Sequence, residues 1–510
     1  MLSAMSRPPV RSRSLLAVVA AAAILPAGRA GASPLFELVG DPSGAGGLVA
    51  RVEGHGPAAA YFNPALLADA PDGFTLGVYV VGQHLGVMAD ARSRSPLCAA
   101  GACDVPAVDG RGPESFRQES TGQGLAEPSL PTAWLEQGHE SLSPRPRQAA
   151  GSGRADRAYQ VVGLVAPVFR RRVVLGLFAM IPLGEFTTAR SFYNDEREQF
   201  FSNSLHPELY GDRLTATSLA FGGGIRLRPD LSVGATFTLS LSNEAAAPVY
   251  VSNLNNLDSV LLDSNISVQA RVAPHFGASW TPRREARLAA TLHTSSSFRV
   301  ATGFDYTLAT GGQQSTELRF THSYMPLTAG VGGSWRFCGD GPWTVTGVLT
   351  FARWSQYRDR HDERPGGRYG WSDTFAGAAG VRYRVGELAA RLDLAFQPTP
   401  VPAQTGRSNY VDSDRVGASA GLEHTFSLWG SRFRGGVDVI GHRVLRSRVV
   451  KAVDPLDPEL VQDEVPDDAV DVLGSAVPNR AGLQTNNPGF PGYAFGGWIL
   501  GGGVRLAIEY

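Results

Sequence analysis

Leu231-Ser232-Val233-Gly234-Ala235-Thr236-Phe237-Thr238-Leu239-Ser240-Leu241-Ser242 presents two unlike surfaces on one extended segment. Its odd positions are all apolar, while its even positions carry hydroxyls or glycine. A period of two belongs to a β-strand, whose successive side chains point to opposite faces. The alternation returns in Phe375, Gly377, Ala379, Val381 and Tyr383 against Thr374, Ala376, Ala378, Gly380 and Arg382. It returns again in Leu388, Ala390, Leu392, Leu394 and Phe396 against Glu387, Ala389, Arg391, Asp393 and Ala395.

Extended outward from this stretch, the pattern predicts strands at 73–84, 159–170, 173–186, 213–228, 230–242, 265–281, 285–297, 318–337, 342–356, 372–386, 387–398, 412–429, 431–448 and 494–509. Long connections (85–158, 187–212, 243–264, 449–493) alternate with very short ones (171–172, 229). Membrane barrels have short turns at one end and long loops at the other, and an even strand number returns both termini to the short-turn side. Most of these runs reach twelve residues or more, enough to cross a bilayer at a tilt of roughly 45°. Strands of soluble sandwiches average about five or six. Arg271, Arg336, Arg382, Arg391, Asp393, Arg434, Asp438 and Arg505 fall on the inward face. They would be unpaired in a dry sandwich core and suit a polar lumen. The fold expected is all-β, a 14-stranded antiparallel transmembrane β-barrel.

Composition agrees with this reading. With 46 basic and 47 acidic side chains the net charge is -1, which leaves no broad electrostatic footprint for nucleic acid. At 43% hydrophobic and 18% charged residues the chain is not of a disordered class. No window holds 18 uninterrupted apolar residues, so a helical membrane bundle is excluded. Arg7, Arg11 and Arg13 precede an apolar run from Leu15 to Ala27, and Ala30-Gly31-Ala32 fits a small-x-small cleavage site. Residues 1–32 therefore read as a signal peptide, and the chain as exported. Cys98 and Cys103 either close a local disulfide or remain two thiols in a loop. Cys338 has no partner left, and a zinc site is not supported by the spacing.

Residues 33–72 do not alternate. They are Gly-rich with short helical stretches, and forty residues cannot build a core of their own. A fourteen-strand cylinder is wider than its inward side chains can fill, so this segment is expected to be an N-terminal hatch plugging the lumen, the alternative being a loose periplasmic tail. Residues 73–510 form the barrel. The chain closes on Trp498, Leu500, Val504, Leu506, Ile508 and Tyr510 on one face. That ending resembles the signal read by the barrel-assembly machinery, an expected partner through the C-terminal strand.

Several segments together resemble the outer-membrane long-chain fatty acid transporters, a family that includes aromatic-hydrocarbon channels. Tyr61-Phe62-Asn63-Pro64-Ala65 is similar to the family's Asn-Pro-Ala hatch motif. Trp371-Ser372-Asp373-Thr374, Gly380-Val381-Arg382-Tyr383-Arg384, Arg391-Leu392-Asp393, Pro398-Thr399-Pro400-Val401-Pro402, Asp412-Ser413-Asp414-Arg415 and Asn487-Pro488-Gly489-Phe490-Pro491-Gly492-Tyr493 follow in the family's order. The first outer loop, Leu85 to Ala158, departs from the pattern. The resemblance implies a multi-pass protein of the Gram-negative outer membrane, in contact with lipopolysaccharide. Such a protein takes up fatty acids or other hydrophobic small molecules, holds them in a lumen closed by the hatch (Asn63, Pro64, Ala65), and releases them sideways at a kinked third strand.

That third strand, Val173 to Phe186, is apolar on both faces. Phe178 and Met180 are expected to line the ligand path, with Leu35 and Phe36 reaching the same pocket. Gly176, Pro182 and Gly184 are expected to break the strand's pairing, or Phe178 and Met180 simply pack on the hatch. No covalent chemistry, cofactor or metal is implied, and a monomer is expected. The ten histidines lie singly, and there is no Gly-x-Ser-x-Gly elbow or phosphate loop, which speaks against an enzyme. The acidic run Asp454 to Asp471 either binds divalent cations or is solvated charge. Other readings are a non-transporting barrel partner of a secretion or surface-assembly system, and a general porin, against which the hatch argues.

Overall fold

The computed structural model describes residues 34–44, 46–90, 149–151, 157–169, 171–184, 205–207, 209–210, 218–251, 260–262, 265–308, 313–337, 341–359, 362–406, 408–451, 489 and 492–510. Residues 1–32, read as a signal peptide, together with Cys98, Cys103, Cys338, most of the first outer loop and the acidic run Asp454–Asp471, lie outside these residues.

Fourteen strands close a ring: β1 (Gly73–Ala89), β2 (Arg157–Val168), β3 (Val173–Leu183), β4 (Ser218–Arg228), β5 (Leu231–Val251), β6 (Asn265–Arg283), β7 (Ala286–His293), β8 (Thr328–Arg336), β9 (Trp343–Ala352), β10 (Thr374–Val385), β11 (Leu388–Gln397), β12 (Arg415–Leu428), β13 (Ser431–Val450) and β14 (Gly492–Glu509). Each pairs antiparallel with the next, and β14 returns to β1 from Glu509–Gly73 to Tyr493–Ala89. The seam leaves no sheet edge, as a structure spanning lipid requires.

Alternation decides which face meets lipid. On β5 the hydroxyls of Ser232, Thr236 and Thr238 point inward and are buried. Outward positions such as Val78, Val80, Leu392, Leu394, Leu500 and Val504 stand exposed around the wall. Exposed apolar side chains encircling a closed cylinder, with polar ones inside, are built for an outer-membrane-type barrel.

The expected strand number matches, but two expected strands are divided differently. The runs 285–297 and 318–337 are shorter in the wall: β7 ends at His293 and β8 starts at Thr328, and the two pair directly from Ala286–Trp335 to His293–Thr328. Between them a hairpin, Ser296–Leu308 with Gln313–Met325, leaves the cylinder, and its first strand pairs parallel with Glu244–Val251 of β5. Pro326 has no N–H to give a ladder, so the run cannot continue through it. β5 also extends to Val251, into what reads in the sequence as loop.

Before β1 the chain forms α1 (Pro34–Val39), α2 (Ala50–Glu53), α3 (Ala59–Phe62) and a 3₁₀ turn Pro64–Asp69. These pieces are too short to be stable alone. They fold because the barrel encloses them: Leu35, Phe36, Ala59, Ala60, Tyr61, Leu66 and Leu67 are fully buried. Against them pack Tyr79, Val81, Tyr159, Val161, Phe178, Met180, Ile440, Val444, Phe495 and Ile499 from the wall. At about 1.5–3 kcal/mol per large apolar side chain, this contact holds the segment in the lumen.

Candidate functional site in the barrel lumen

Asn63 anchors the lumen segment. Its Oδ1 accepts from the Ala65 N–H at 3.2 Å and caps the 3₁₀ turn, while its Nδ2 donates to the Arg51 carbonyl at 2.8 Å and to the Ala278 carbonyl of β6 at 3.4 Å. One amide thus joins α2, the 3₁₀ turn and the wall, and it is fully buried. Pro64 occupies the first position of that turn, where its missing N–H costs nothing. The wall accommodates this corner with a row of glycines. Gly224 on β4, Gly234 on β5 and Gly277 on β6 are in direct register. A Cβ at Gly224 would lie 2.6 Å from the Pro64 carbonyl oxygen, one at Gly234 2.6 Å from the Ala65 nitrogen, and one at Gly277 2.9 Å from Pro64 Cδ. Only a surface without side chains lets the Asn63-Pro64-Ala65 backbone lie flat on it.

Asn63→Asp replaces the donating amide by an acceptor, leaving the Arg51 and Ala278 carbonyls facing a carboxylate. We expect it to loosen the plug by about 1–3 kcal/mol and raise ion leak through the barrel. Unchanged single-channel conductance in planar bilayers would contradict the anchoring role.

A second tie is polar. Glu37 of α1 accepts from both Arg51 Nη atoms at 2.9 and 3.1 Å and from the Tyr61 hydroxyl at 2.8 Å. His293 of β7 lies beside this pair, 3.8 Å from Glu37, with its ring 4.1 Å from that of His275 on β6.

The third tie lines β10 to β14. Glu53 meets Arg382 at 3.0 Å. Asp393 takes Arg391 at 3.0 Å, the Ser419 hydroxyl at 2.7 Å and the Leu48 N–H of the plug at 3.1 Å. Arg391 also pairs with Asp438, Asp438 with Arg505, and Arg505 with Glu423 at 3.0 Å. Arg434 joins through Glu423 at 3.9 Å, so the predicted inward charges Arg382, Arg391, Asp393, Arg434, Asp438 and Arg505 are all in this lattice, whereas Arg336 sits exposed at the short-turn rim and the Arg271 side chain lies outside the described residues.

Leu35, Phe36, Phe178 and Met180 are brought together, all without solvent exposure. The Phe36 and Phe178 rings are 4.8 Å apart, as are those of Phe36 and Tyr61. They fill that side of the lumen themselves. Gly176 lies in unbroken register with Val165 on β2 and Gly222 on β4, and a Cβ there would be 2.5 Å from Leu67 Cδ2, so its smallness admits the plug. Pro182 is buried opposite Tyr159, and Gly184 follows β3 with a φ of 124°. Among the described residues, β3 pairs with β4 from Val173–Ile225 to Met180–Ser218 and with β2 from Val173–Val168 to Leu183–Ala158.

The open space is on the opposite side. A cavity offering about 150 Å³ to the centres of water-sized molecules lies between α1 and the inner wall of β8 to β13. Leu38, Leu48, Met325, Val348, Ala376 and Ala378 give it an apolar lining, while Glu37, Arg51, Gln397, Arg415 and His442 supply polar atoms. His442 bonds the Leu38 carbonyl through Nε2 at 2.8 Å. Sequence reading missed these positions. Most are inward residues of strands whose lumen side looked merely small or polar, and nothing in the chain marks which side the plug leaves empty.

Toward the long-loop end the cavity reaches Trp354 and Tyr324, members of an aromatic cluster in which Tyr357 and Trp371 stack at 3.5 Å. Nearby loops are pinned by two buried ionisable groups. Burial lifts the Asp412 carboxyl to about 6, opposed by hydrogen bonds from Thr399 and Ser413. Burial brings the Lys451 ammonium down to about 7, and its Nζ donates to the Gly406 and Ser408 carbonyls at 2.8 and 2.6 Å.

This architecture is similar to that of a solved structure, the crystal structure of a Pseudomonas aeruginosa FadL homologue. It covers 95% of this chain and 99% of its own, with a TM-score of 0.52 at 14% identity. The fold is FadL-like. The P. putida toluene transporter TodX is also similar, at 14% identity over 92% of this chain and 99% of its own, with a TM-score of 0.46. The monoaromatic hydrocarbon channel CymD has 12% identity over 94% and 99%, with a TM-score of 0.43. No family model and no curated protein matches the chain. At 14% identity the likeness is one of fold.

Proposed function

We propose that the protein is an outer-membrane channel that takes up hydrophobic small molecules, with long-chain fatty acids or similar lipids and hydrocarbons as its cargo. The observation that carries this reading is the apolar cavity held between plug and wall in a FadL-like barrel. A water-filled pore gives a greasy solute nothing to enter, whereas burial in an apolar pocket is favourable by about 0.8 kcal/mol per methylene before binding entropy is subtracted. No step needs a nucleophile, metal or redox group.

The same reading makes Asn63, Pro64 and Ala65 the hinge of a hatch and gives Leu35, Phe36, Phe178 and Met180 to the cargo when the hatch shifts. Its exit is sideways, past Pro182, which has no N–H to give a ladder, and Gly184, whose φ is 124°. Pro182→Val restores an N–H for pairing and is expected to slow uptake several-fold. Wild-type rates would remove the side exit.

The test of the function is mass spectrometry of lipids retained by the detergent-purified protein, together with uptake of oleate and toluene by cells. Ala376→Trp fills the cavity from β10 and is expected to cut retention and uptake at least about tenfold while leaving the barrel folded. No retained lipid, no uptake, and co-purification with other envelope subunits would instead point to an assembly partner.

A further inference from the structure

Two rows of outward side chains cross the seam of the barrel. In the lower row Phe433 on β13, Ile508 on β14 and Phe74 on β1 are in direct register. In the upper row Arg443, Trp498 and His84 occupy the same three strands, again in register. Exactly ten residues separate the rows on every strand. Ten residues at about 3.3 Å rise, tilted by about 40°, climb about 25 Å, the height of the apolar band of a membrane barrel. Between the rows the outward side chains include Val437 and Val439, Leu500, Val504 and Leu506, and Leu76, Val78 and Val80. The upper row therefore lies where hydrocarbon ends on the long-loop side, at the level of the outer leaflet's head groups.

At this level a guanidinium costs little against lipid, and an anionic head group that meets it makes its position favourable. Arg443 has no carboxylate partner among the described residues. Its guanidinium instead lies over the Trp498 ring, 4.5 Å from the centroid. Stacking on the indole fixes the plane of the fork while leaving its N–H edge free for planar, bidentate recognition of an oxyanion. Arg446, three residues higher on β13, is exposed and also has no carboxylate partner among the described residues. Arg448, at the top, is already taken by Asp90 at 2.9 Å. His84 flanks the ring from the other side and is exposed.

We propose that Arg443, Trp498, His84 and Arg446 form a binding site on the outer wall for a phosphate of lipid A, the anchor of lipopolysaccharide. The chemistry fits at both ends. A phosphate at the head-group level meets two arginines, and the acyl chains below it lie along Val437, Val439, Leu500 and Val504. The site faces lipid and is independent of what the lumen carries.

The test is native mass spectrometry of the full-length protein, stripped of lipid in detergent and titrated with bisphosphorylated lipid A, lipid A freed of its phosphates, phosphatidylglycerol, or inorganic phosphate. Bisphosphorylated lipid A should bind, and each of the others at least about tenfold more weakly. R443Q combined with R446Q should lower lipid A affinity about tenfold or more while keeping heat-modifiable mobility. W498L, which leaves the belt apolar, should give a smaller loss by freeing the guanidinium. Equal lipid A affinity in wild type and the double glutamine variant would overturn the proposal, as would equal binding of the dephosphorylated lipid, phosphatidylglycerol or inorganic phosphate.

Discussion

In a Gly234→Val protein the plug is expected to lose its seat. The added side chain on β5 would start 2.5 Å from the Pro64 carbonyl oxygen and 2.6 Å from the Ala65 nitrogen. Both neighbours are backbone, so neither can swing aside, and Gly224 and Gly277 on either side fix the height at which the corner must lie. Overpacking of this kind typically costs about 1–3 kcal/mol, and here the strain falls on the plug, because the strands are held by continuous ladders. The expected phenotype is a folded, heat-modifiable barrel whose plug amides exchange at least tenfold faster and whose cells become sensitive to large hydrophilic antibiotics. Exchange and sensitivity at wild-type levels would show that the glycine row does not carry the plug.

Arg391→Met is expected to have the larger effect on stability. Arg391 stands between Asp393 and Asp438, all three nearly excluded from solvent. Without the guanidinium, Asp393 keeps only the Ser419 hydroxyl and the Leu48 N–H. Asp438 keeps Arg505. Breaking a buried ion pair by removing one partner costs about 3–5 kcal/mol, since a charge is left buried without compensation. Urea unfolding of the protein in lipid vesicles should show a clearly lower midpoint, and Arg391→Met combined with Asp393→Leu should recover part of it. A midpoint unchanged by the single substitution would mean that the lattice is decoration on the wall.

The wall was legible because lipid and lumen impose opposite demands on neighbouring residues, and a period of two records them directly in Leu231 to Ser242, in Phe375 to Tyr383 and in Leu388 to Phe396. The hairpin 296–325 was not, because its strands leave the ring and pair with each other and with the extension of β5. The division at Pro326 shows how one missing N–H separates a wall strand from an extension above it. The lumen was legible in part. Asn63 was singled out through the resemblance of Tyr61-Phe62-Asn63-Pro64-Ala65 to the hatch motif, and its capping and bridging bonds could not be read from the residues. The glycine row under it was invisible, since Gly224, Gly234 and Gly277 become neighbours only through the register of three strands. Phe36 and Phe178 were read as reaching one pocket and their rings meet, but no local pattern says that they fill their side of the bore while Leu38, Val348 and Ala376 border the space left on the other.

Everything functional here depends on a membrane-embedded cylinder closed by its own leading segment. The most direct measurement is the conductance of planar bilayers holding either the full-length protein or a protein lacking residues 34–70. The full-length protein should stay silent and the shortened one should show a steady open pore, both remaining heat-modifiable barrels. A shortened protein that folds as a barrel and still passes no current would contradict the account.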